Sequence, residues 1–297
     1  MNPGKYAVGA DVGGTHVRLG LLGPEGILTH VTRLPRGEAM PDEDPLRFGD
    51  VLRDFIGGTG VPVSAVGVGI PGTLSRDRRK ALKVPNIPAL NGLMLAEALG
   101  ARAGVPVLLR NDTVMLLSGD LCRLDLPSAG LVLGVYLGTG LGSAVFLDGR
   151  PLPGRNGINE LGHFPIPGRE EPCTCGGRGC AENLVSGRRL QALRAEKWPE
   201  THISELFPAM AGSPELAEFL DAAACLLAGA VNLLDPEALV IGGGVPAMKG
   251  FPREALARAV REKAMHPEPA EGLRIAWSPG GDEGGVLGAA RLAMLEA

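Results

Sequence analysis

The sequence has few aromatic residues and no run of basic residues. Phe, Trp and Tyr make up 4% of its 297 residues, so an aromatic platform for stacking nucleobases is not expected. The formal net charge is -4, and no basic arm or helix stands out, which argues against a nucleic-acid partner. No apolar stretch is expected to span a membrane, and residues 1–5 lack the order of a signal peptide. The composition therefore predicts a cytoplasmic protein without nucleic-acid or membrane partners.

Cysteine is also scarce, with five residues in the chain. Three of them, Cys173, Cys175 and Cys180, fall within eight positions, and in a cytoplasmic protein such a cluster binds metal more often than it forms disulfides. With His163 they make a closed tetrahedral ligand set, which predicts a structural zinc ion. Free thiols or a redox pair are the alternative. The other two cysteines lie in apolar helical patterns and are predicted to be core residues: Cys122 and Cys225.

Glycine, by contrast, is abundant at 45 residues, and much of it lies in short turns between apolar runs. The segments YAVGADVGGTHVRLGLL and GLVLGVYLGTGLGSAVFL each read as a strand, a glycine turn and a second strand. This weak internal duplication predicts two α/β lobes of related topology, residues 1–115 and 116–297. Residues 214–234 predict a long apolar helix. A closing helix from about residue 284 is expected to pack back on the first lobe.

The glycine turns are candidate phosphate sites, because a glycine hairpin presents several backbone N–H groups to an anion. Asp11 is placed to hold Mg²⁺ directly or through water, and the last glycine run suits close approach to a nucleobase or ribose. An ordinary hairpin or strand-to-helix turn is the alternative for each motif alone. The candidate nucleotide-binding residues are Asp11, Gly13, Gly14, Thr15, Gly138, Thr139, Gly140, Gly142, Gly242, Gly243 and Gly244.

Two familiar nucleotide motifs are excluded. Residues 67–72, GVGIPG, match the dinucleotide pattern GxGxxG, but Pro71 and the polar residues after it do not open a helix. The P-loop pattern GxxxxGK[ST] does not occur. Any use of ATP must therefore rely on a different phosphate cradle.

Several polar residues stand at positions where they could act on a hydroxylated substrate. Asn111 and Asp112 end the strand-like segment VPVLLR, and a carboxylate there could take the proton from an attacking hydroxyl. The alternative is an Asp that caps the next helix. Glu160 and Glu182 flank the cysteine cluster. A bound metal would fix both carboxylates, which suit binding of a polyhydroxylated molecule.

Seven segments occur in the order DVGGTHVRLGLL, GVGIPG, RNDTV, LGTGLGSAVFLDG, ELGH, CTCGGRGCAENLVSG and VIGGGV. In this order they resemble the ROK family of sugar kinases and repressors, and the likeness runs from about residue 6 to residue 290. The ELGH and CTCGGRGC block is its most specific part. The resemblance implies an α/β fold of the actin-like, hexokinase-like ATPase type, with two lobes of ribonuclease-H-like topology around a cleft.

The resemblance also implies roles for individual residues. Asp112 would be the base that accepts the proton of the sugar hydroxyl, and ATP and Mg²⁺ would be the cofactors beside a structural zinc ion. His163 would bind both sugar and zinc, the latter with the three clustered cysteines. A homodimer is expected by analogy. The sugar-binding residues would be Asn86, Asn111, Asp112, Glu160, His163 and Glu182.

The expected reaction is ATP-dependent phosphorylation of the 6-hydroxyl of a hexose. Segments such as GIPGTLSRDRRKALKVPNIP and FPREAL favour D-allose as the sugar, followed by glucose and then fructose or an N-acylmannosamine. Ile158 and Asn159 stand where the family usually has Ala-Gly, which weakens the expectation of glucose.

Two non-enzyme alternatives are weighed. A repressor of the family would carry a helix-turn-helix before the first phosphate motif, and that motif begins here at Asp11. A catalytically inactive sugar sensor is disfavoured by Asp112 and both glycine turns. The choice between ATP and polyphosphate as phosphate donor is left open.

Overall fold

The computed structural model describes residues 5–127, 129–152, 154, 159–281 and 283–296. The chain divides into two compact units. One comprises Met1–Asp125, Pro151–Ile158 and Gly281–Ala297, and the other comprises Leu126–Arg150 and Asn159–Gly280.

The first unit is built on a five-stranded sheet with the order β3-β2-β1-β4-β7. β1 pairs antiparallel with β2 and parallel with β4, so the hairpin and the parallel strands meet at β1. β5 and β6 form a separate two-stranded ribbon. The strands are β1 (Tyr6–Val12), β2 (His16–Leu22), β3 (Leu28–Pro35), β4 (Val63–Ile70), β5 (Thr73–Leu74), β6 (Ala81–Lys83) and β7 (Val107–Asn111).

Four helices of the first unit lie between or after these strands. Pro45 and the Asp44 cap start α2, since a proline at the first helical position lacks the N–H that would be unpaired there. α4 follows β7 without a loop. The expected lobe boundary at residue 115 lies inside α4, and the compact unit continues to Asp125. The helices are α1 (Arg36–Ala39), α2 (Pro45–Gly58), α3 (Leu95–Ala103) and α4 (Asp112–Arg123).

The second unit repeats the plan of the first. Its sheet has the order β10-β9-β8-β11-β12, with β8 antiparallel to β9 and parallel to β11. The equivalent order in both units agrees with the internal duplication expected from the two glycine hairpins. Its elements are β8 (Leu131–Leu137), β9 (Leu141–Leu147), β10 (Arg150–Pro151), α5 (Gly187–Lys197), α6 (Leu206–Ala209), α7 (Pro214–Leu234), β11 (Ala238–Gly242), α8 (Arg253–Lys263) and β12 (Arg274–Trp277).

Helix α7 differs from the expectation in two respects. It is long and apolar enough to cross a membrane by length and composition, although no such stretch was expected. Its buried residues, among them Phe219, Leu227 and Val231, belong to the core of the second unit, so α7 is a core helix. Cys225, predicted to be buried, lies on the exposed face of α7, and Cys122 near the end of α4 is also exposed.

The last helix, α9 (Glu283–Glu296), packs against the sheet of the first unit at backbone contact. A Cβ built on Gly9 of β1 would lie 1.9 Å from the Val286 carbonyl oxygen, and one on Gly67 of β4 would lie 2.0 Å from that of Ala289. Both distances are far below van der Waals contact, so only glycine at these strand positions lets the helix approach this closely.

Helices α4 and α9 meet equally closely. A Cβ on Gly288 of α9 would lie 1.7 Å from the carbonyl oxygen of Met115 in α4. At the other end of α9, Glu296 forms an ion pair with the buried Arg110 of β7. Burial lowers the pKa of Arg110, and the Glu296 carboxylate offsets part of that effect. The final helix is thus an integral layer of the first unit.

Candidate functional site

The first glycine turn joins β1 to β2. The Gly13 N–H closes the turn by donating to the His16 carbonyl at 2.9 Å. In the described part of the chain, the N–H groups of Gly14 and Thr15 donate to no protein acceptor, and a Cβ on Gly14 would face open space. The turn therefore offers two donors and room for an anion.

Asp11 lies beside this turn and is held by Arg18. The two residues are paired across the hairpin, and Arg18 Nη1 lies 3.2 Å from Asp11 Oδ2. A Cβ on Gly285, in the first turn of α9, would lie 3.1 Å from Asp11 Cγ, so this carboxylate stands near a helix N-terminus that favours negative charge. An oxygen ligand in this place fits the preference of Mg²⁺.

The predicted base lies where β7 becomes α4. Asn111 is the N-cap, since its side chain accepts the Thr113 N–H at 3.0 Å, and its amide donates to the Gly72 carbonyl at 3.1 Å. Asp112 is the first helical residue, and its Oδ1 accepts the same N–H at 2.9 Å. Because Asn111 provides the cap, the alternative that Asp112 serves only as a helix cap is weakened.

The remaining sugar candidate of the first unit, Asn86, lies in an exposed turn after β6. Its carbonyl oxygen accepts a hydrogen bond from Arg36 Nη1 at 2.9 Å. That contact fixes the backbone of the turn.

The second glycine turn joins β8 to β9. The Gly138 N–H donates to the Gly140 carbonyl at 2.9 Å, and within residues 129–152 and 159–281 the N–H groups of Thr139 and Gly140 donate to no protein acceptor. A Cβ on Gly138 would face open space. The turn resembles the first in presenting two donors, whereas Gly142 lies within β9 opposite Tyr136.

Glu182 is attached to this second turn. It is buried, its Oε2 accepts the Leu141 N–H at 2.9 Å, and its Oε1 accepts a hydrogen bond from Arg188 Nη2. A carboxylate has about four acceptor positions, so these two contacts leave capacity for a substrate hydroxyl.

The third glycine run is explained mainly by packing. Gly243 has a φ of +97°, and a Cβ there would lie 2.3 Å from the Leu137 carbonyl oxygen. A Cβ on Gly242 would lie 2.6 Å from Ser278 Cβ, whereas one on Gly244 would face open space. Of the three glycines, Gly244 therefore has the surroundings expected for contact with a ligand.

The predicted metal cluster is assembled in the second unit. Ligand atoms of His163, Cys173, Cys175 and Cys180 all lie within 4.8 Å of one another. The Cys175 and Cys180 sulfurs are 3.7 Å apart, and Cys173 Sγ lies 3.5 Å from His163 Nδ1. A tetrahedron with Zn–S bonds of about 2.3 Å has sulfurs about 3.8 Å apart, so the four residues fit a closed structural zinc site.

The thiols of the cluster affect one another's ionisation. Burial and, after it, hydrogen bonds to Cys173 and Cys175 together raise the pKa of Cys180 to about 12. The Gly177 N–H lowers the pKa of Cys175 by donating to its sulfur at 3.3 Å. Three thiolates this close together repel one another, and a bound divalent metal would offset that repulsion.

Glu160 lies on the side of the His163 ring that faces away from the cysteine cluster. Glu160 Oε2 is 3.8 Å from His163 Nε2, while Nδ1 faces the sulfur of Cys173. The carboxylate is thus next to the ring nitrogen that faces away from the cysteine cluster. Asn159 bridges to Ser143 of β9 through its backbone. Ile158, which was named with Asn159 as a departure from the family pattern, lies outside the described residues.

Two site residues, Arg18 and Arg188, were not identified from the sequence. Arg18 could have been found, because it lies opposite Asp11 in the register of the hairpin. Arg188 gave no such signal, since its side chain reaches the second turn through Glu182, which is 41 positions from Leu141.

Comparison with known proteins shows one consistent likeness. The ROK family model matches residues 7–296. A glucokinase of Thermotoga maritima is 30% identical, with 96% of each chain covered. An N-acetyl-D-glucosamine kinase of Pectobacterium carotovorum is 32% identical, with 97% of this chain and 99% of that protein covered.

Solved structures give the same result. A ROK hexokinase from Thermus thermophilus superposes with a TM-score of 0.82 at 29% identity, covering 98% of both chains. A ROK glucokinase from Streptomyces griseus, solved in complex with glucose and AMPPNP, superposes with a TM-score of 0.79 at 26% identity, covering 98% of this chain and 99% of that chain.

Proposed function

Because this chain belongs to the ROK family and is a sugar kinase, we propose that it transfers the γ-phosphoryl group of ATP to the 6-hydroxyl of a glucose-type hexose. One observation carries the proposal: kinases of glucose and N-acetyl-D-glucosamine are 30% and 32% identical to this chain over almost its whole length. The structural neighbours also confirm the predicted actin-like α/β fold.

The sequence-based preference for D-allose is not supported by these relatives. Part of it rested on the segment FPREAL, at the start of α8. Phe251 of that segment packs edge-on against Phe207, with ring centroids 5.0 Å apart, and against Trp277 at 6.0 Å. Phe251 therefore belongs to the packing of the second core.

In the proposed reaction, Asp112 accepts the proton of the sugar hydroxyl as that oxygen attacks the γ-phosphorus. It lies in the first turn of α4, where the helix dipole favours a negative charge. The neighbouring Asn111 fixes the backbone that carries it through hydrogen bonds to Thr113 and Gly72. Asn86 and Asn111 are the other proposed sugar contacts of this unit.

Three residues of the second unit are proposed to bind the sugar hydroxyls. Glu160 and Glu182 accept hydroxyl protons, and His163 presents Nε2 while Nδ1 faces the cysteine cluster. Because His163 belongs to the candidate zinc set, a bound metal would fix this imidazole in orientation as well as in position.

The glycine turns are proposed to hold the phosphates of ATP. Each turn offers two backbone donors beside open space, as the residues around Gly14 and Gly138 show. Asp11 is proposed to hold Mg²⁺, which when bound neutralises phosphate charge. Gly244 is proposed to face the adenosine. From family membership we also propose that the chain forms a homodimer.

The zinc proposal predicts a coupled loss of metal and stability. Cys175→Ser should reduce bound zinc from one equivalent per chain to near zero and lower the melting temperature, because a structural zinc ion contributes to folding. Cys175 is exposed, so the substitution itself disturbs little packing. Cys225→Ser, on α7 outside the cluster, is the matched control. It should keep the wild-type zinc content and melting temperature. A Cys175→Ser protein with a full zinc equivalent by mass spectrometry would contradict the proposal.

The function is tested by a coupled ADP-release assay with ATP, Mg²⁺ and a panel of sugars: glucose, N-acetyl-D-glucosamine, allose, fructose and N-acetylmannosamine. We expect kcat/KM for glucose to exceed that for allose by about tenfold or more, since an epimeric hydroxyl leaves a polar partner unpaired. 6-Deoxyglucose should inhibit competitively without turnover. Turnover of 6-deoxyglucose, or of none of the sugars, would refute the assignment.

N-Acetyl-D-glucosamine is the second candidate substrate, favoured by the relative that is 32% identical. It differs from glucose only in the acetamido group at carbon 2. The same panel separates the two, because a pocket closed at carbon 2 would accept glucose and exclude the acetylated sugar.

A further inference from the structure

The second glycine turn carries a feature that a phosphate site would not be expected to have. A Cβ built on Gly140 would lie 2.1 Å from Oε2 of Glu182, so a carboxylate touches the backbone of the turn. The Glu182 side chain is only 9% exposed, and water therefore screens its charge weakly. Left alone, this carboxylate would repel a triphosphate bound at the turn.

Arg188 is placed to offset that charge. Its Nη2 donates to Glu182 Oε1 and lies 3.8 Å from the position of a Cβ on Gly140. The Arg188 side chain is 45% exposed, and its guanidinium carries a fixed positive charge. The pair as a whole is neutral at the edge of the turn, and the cation is the more exposed of its two members.

The backbone of Arg188 is attached to the same turn. α5 begins at Gly187, whose N–H donates to the Gly138 carbonyl at 2.8 Å, and the Arg188 N–H donates to the Thr139 carbonyl at 3.1 Å. These bonds take up the carbonyl oxygens of the turn. Since Glu182 also takes the Leu141 N–H, the N–H groups of Thr139 and Gly140 are left as the donors of the turn.

We propose that Arg188 is a positioning residue for the nucleotide: its ion pair with Glu182 cancels the charge of a buried carboxylate and holds the second turn in its anion-binding form. This inference rests on the proposed kinase function and adds Arg188 to the residues proposed to hold the phosphates. It assigns to Glu182 a structural link with the phosphate turn beside its proposed contact with the sugar.

The test is the affinity of the full-length protein for MgADP and for AMPPNP, measured by calorimetry without sugar. Arg188→Met should weaken nucleotide binding by about tenfold to a hundredfold, because it leaves a buried carboxylate unpaired. Lys197→Met removes one positive charge from the exposed last turn of the same helix and should leave nucleotide affinity unchanged.

Two further variants keep the proposal falsifiable. Arg188→Lys retains the positive charge, so its nucleotide affinity should stay within about threefold of wild type. This variant can still be measured if Arg188→Met fails to fold. In the double variant Arg188→Met with Glu182→Gln, the neutral amide still accepts the Leu141 N–H, so most of the lost nucleotide affinity should return. Failure of the double variant to recover would overturn the charge-cancelling role.

The failure of this inference is distinguishable from failure of the kinase assignment. If the wild-type protein binds neither nucleotide, the proposed function is wrong. If the wild type binds and Arg188→Met binds equally well, the kinase assignment stands and the role of Arg188 is overturned.

Discussion

Asp112→Asn is expected to lower kcat about a thousandfold with little change in the fold. An amide cannot accept the proton of the attacking hydroxyl, and loss of a general base costs about a hundredfold to ten-thousandfold in rate. The amide oxygen keeps the hydrogen bond from the Thr113 N–H, and Asn111 remains the helix cap. The melting temperature and the dissociation constant for ATP should therefore stay near wild type.

The matched control for this substitution is Asp54→Asn. Asp54 belongs to α2, and its side chain is 72% exposed, so the same change of an acid to an amide should leave kcat unaltered. A steady-state kcat for Asp112→Asn within about tenfold of wild type would remove Asp112 from the role of base, since the expected range begins at a hundredfold.

Gly288→Ala is expected to destabilise the first unit by about 2–3 kcal/mol, in the upper range for overpacked cores. The added Cβ would stand 1.7 Å from the Met115 carbonyl oxygen, and neither helix backbone can yield without moving α4 from α9. Because α4 begins at Asp112, kcat should fall along with the melting temperature measured by calorimetry.

Gly229→Ala is the control that isolates the contact. Gly229 is an exposed interior residue of α7, and a Cβ there would face open space. The same change should raise the stability of the protein by about 0.5–1 kcal/mol, because alanine has the higher helix propensity. If both variants gain stability, the close approach of α4 and α9 is wrong.

Much of this architecture could be predicted from local sequence patterns. The strand, glycine turn and strand around Gly13 and around Gly138 were identified because small residues interrupt apolar runs. α7 was expected over 214–234 and has those bounds. The metal cluster was predicted because its ligands lie close together in sequence, within residues 163–180.

Other features have no local signature. α5 has two buried residues, Leu190 and Leu193, among charged neighbours, so its apolar periodicity is too sparse to indicate a helix. The pairing of Glu182 with Leu141 and Arg188, and that of Arg110 with Glu296, depend on tertiary contacts. Cys122 and Cys225 were predicted to be buried because an apolar helix pattern does not show which face a given residue occupies.

The position of α9 has a consequence for synthesis of the protein. Gly9 and Gly67, which receive this helix, belong to strands that leave the ribosome early, whereas the helix itself follows the whole second unit. The nascent first unit must therefore keep the backbone of two core strands uncovered while more than a hundred further residues are translated. Domains generally fold in the order of synthesis. Here, however, synthesis of the second unit is complete before the last helix of the first unit has been made.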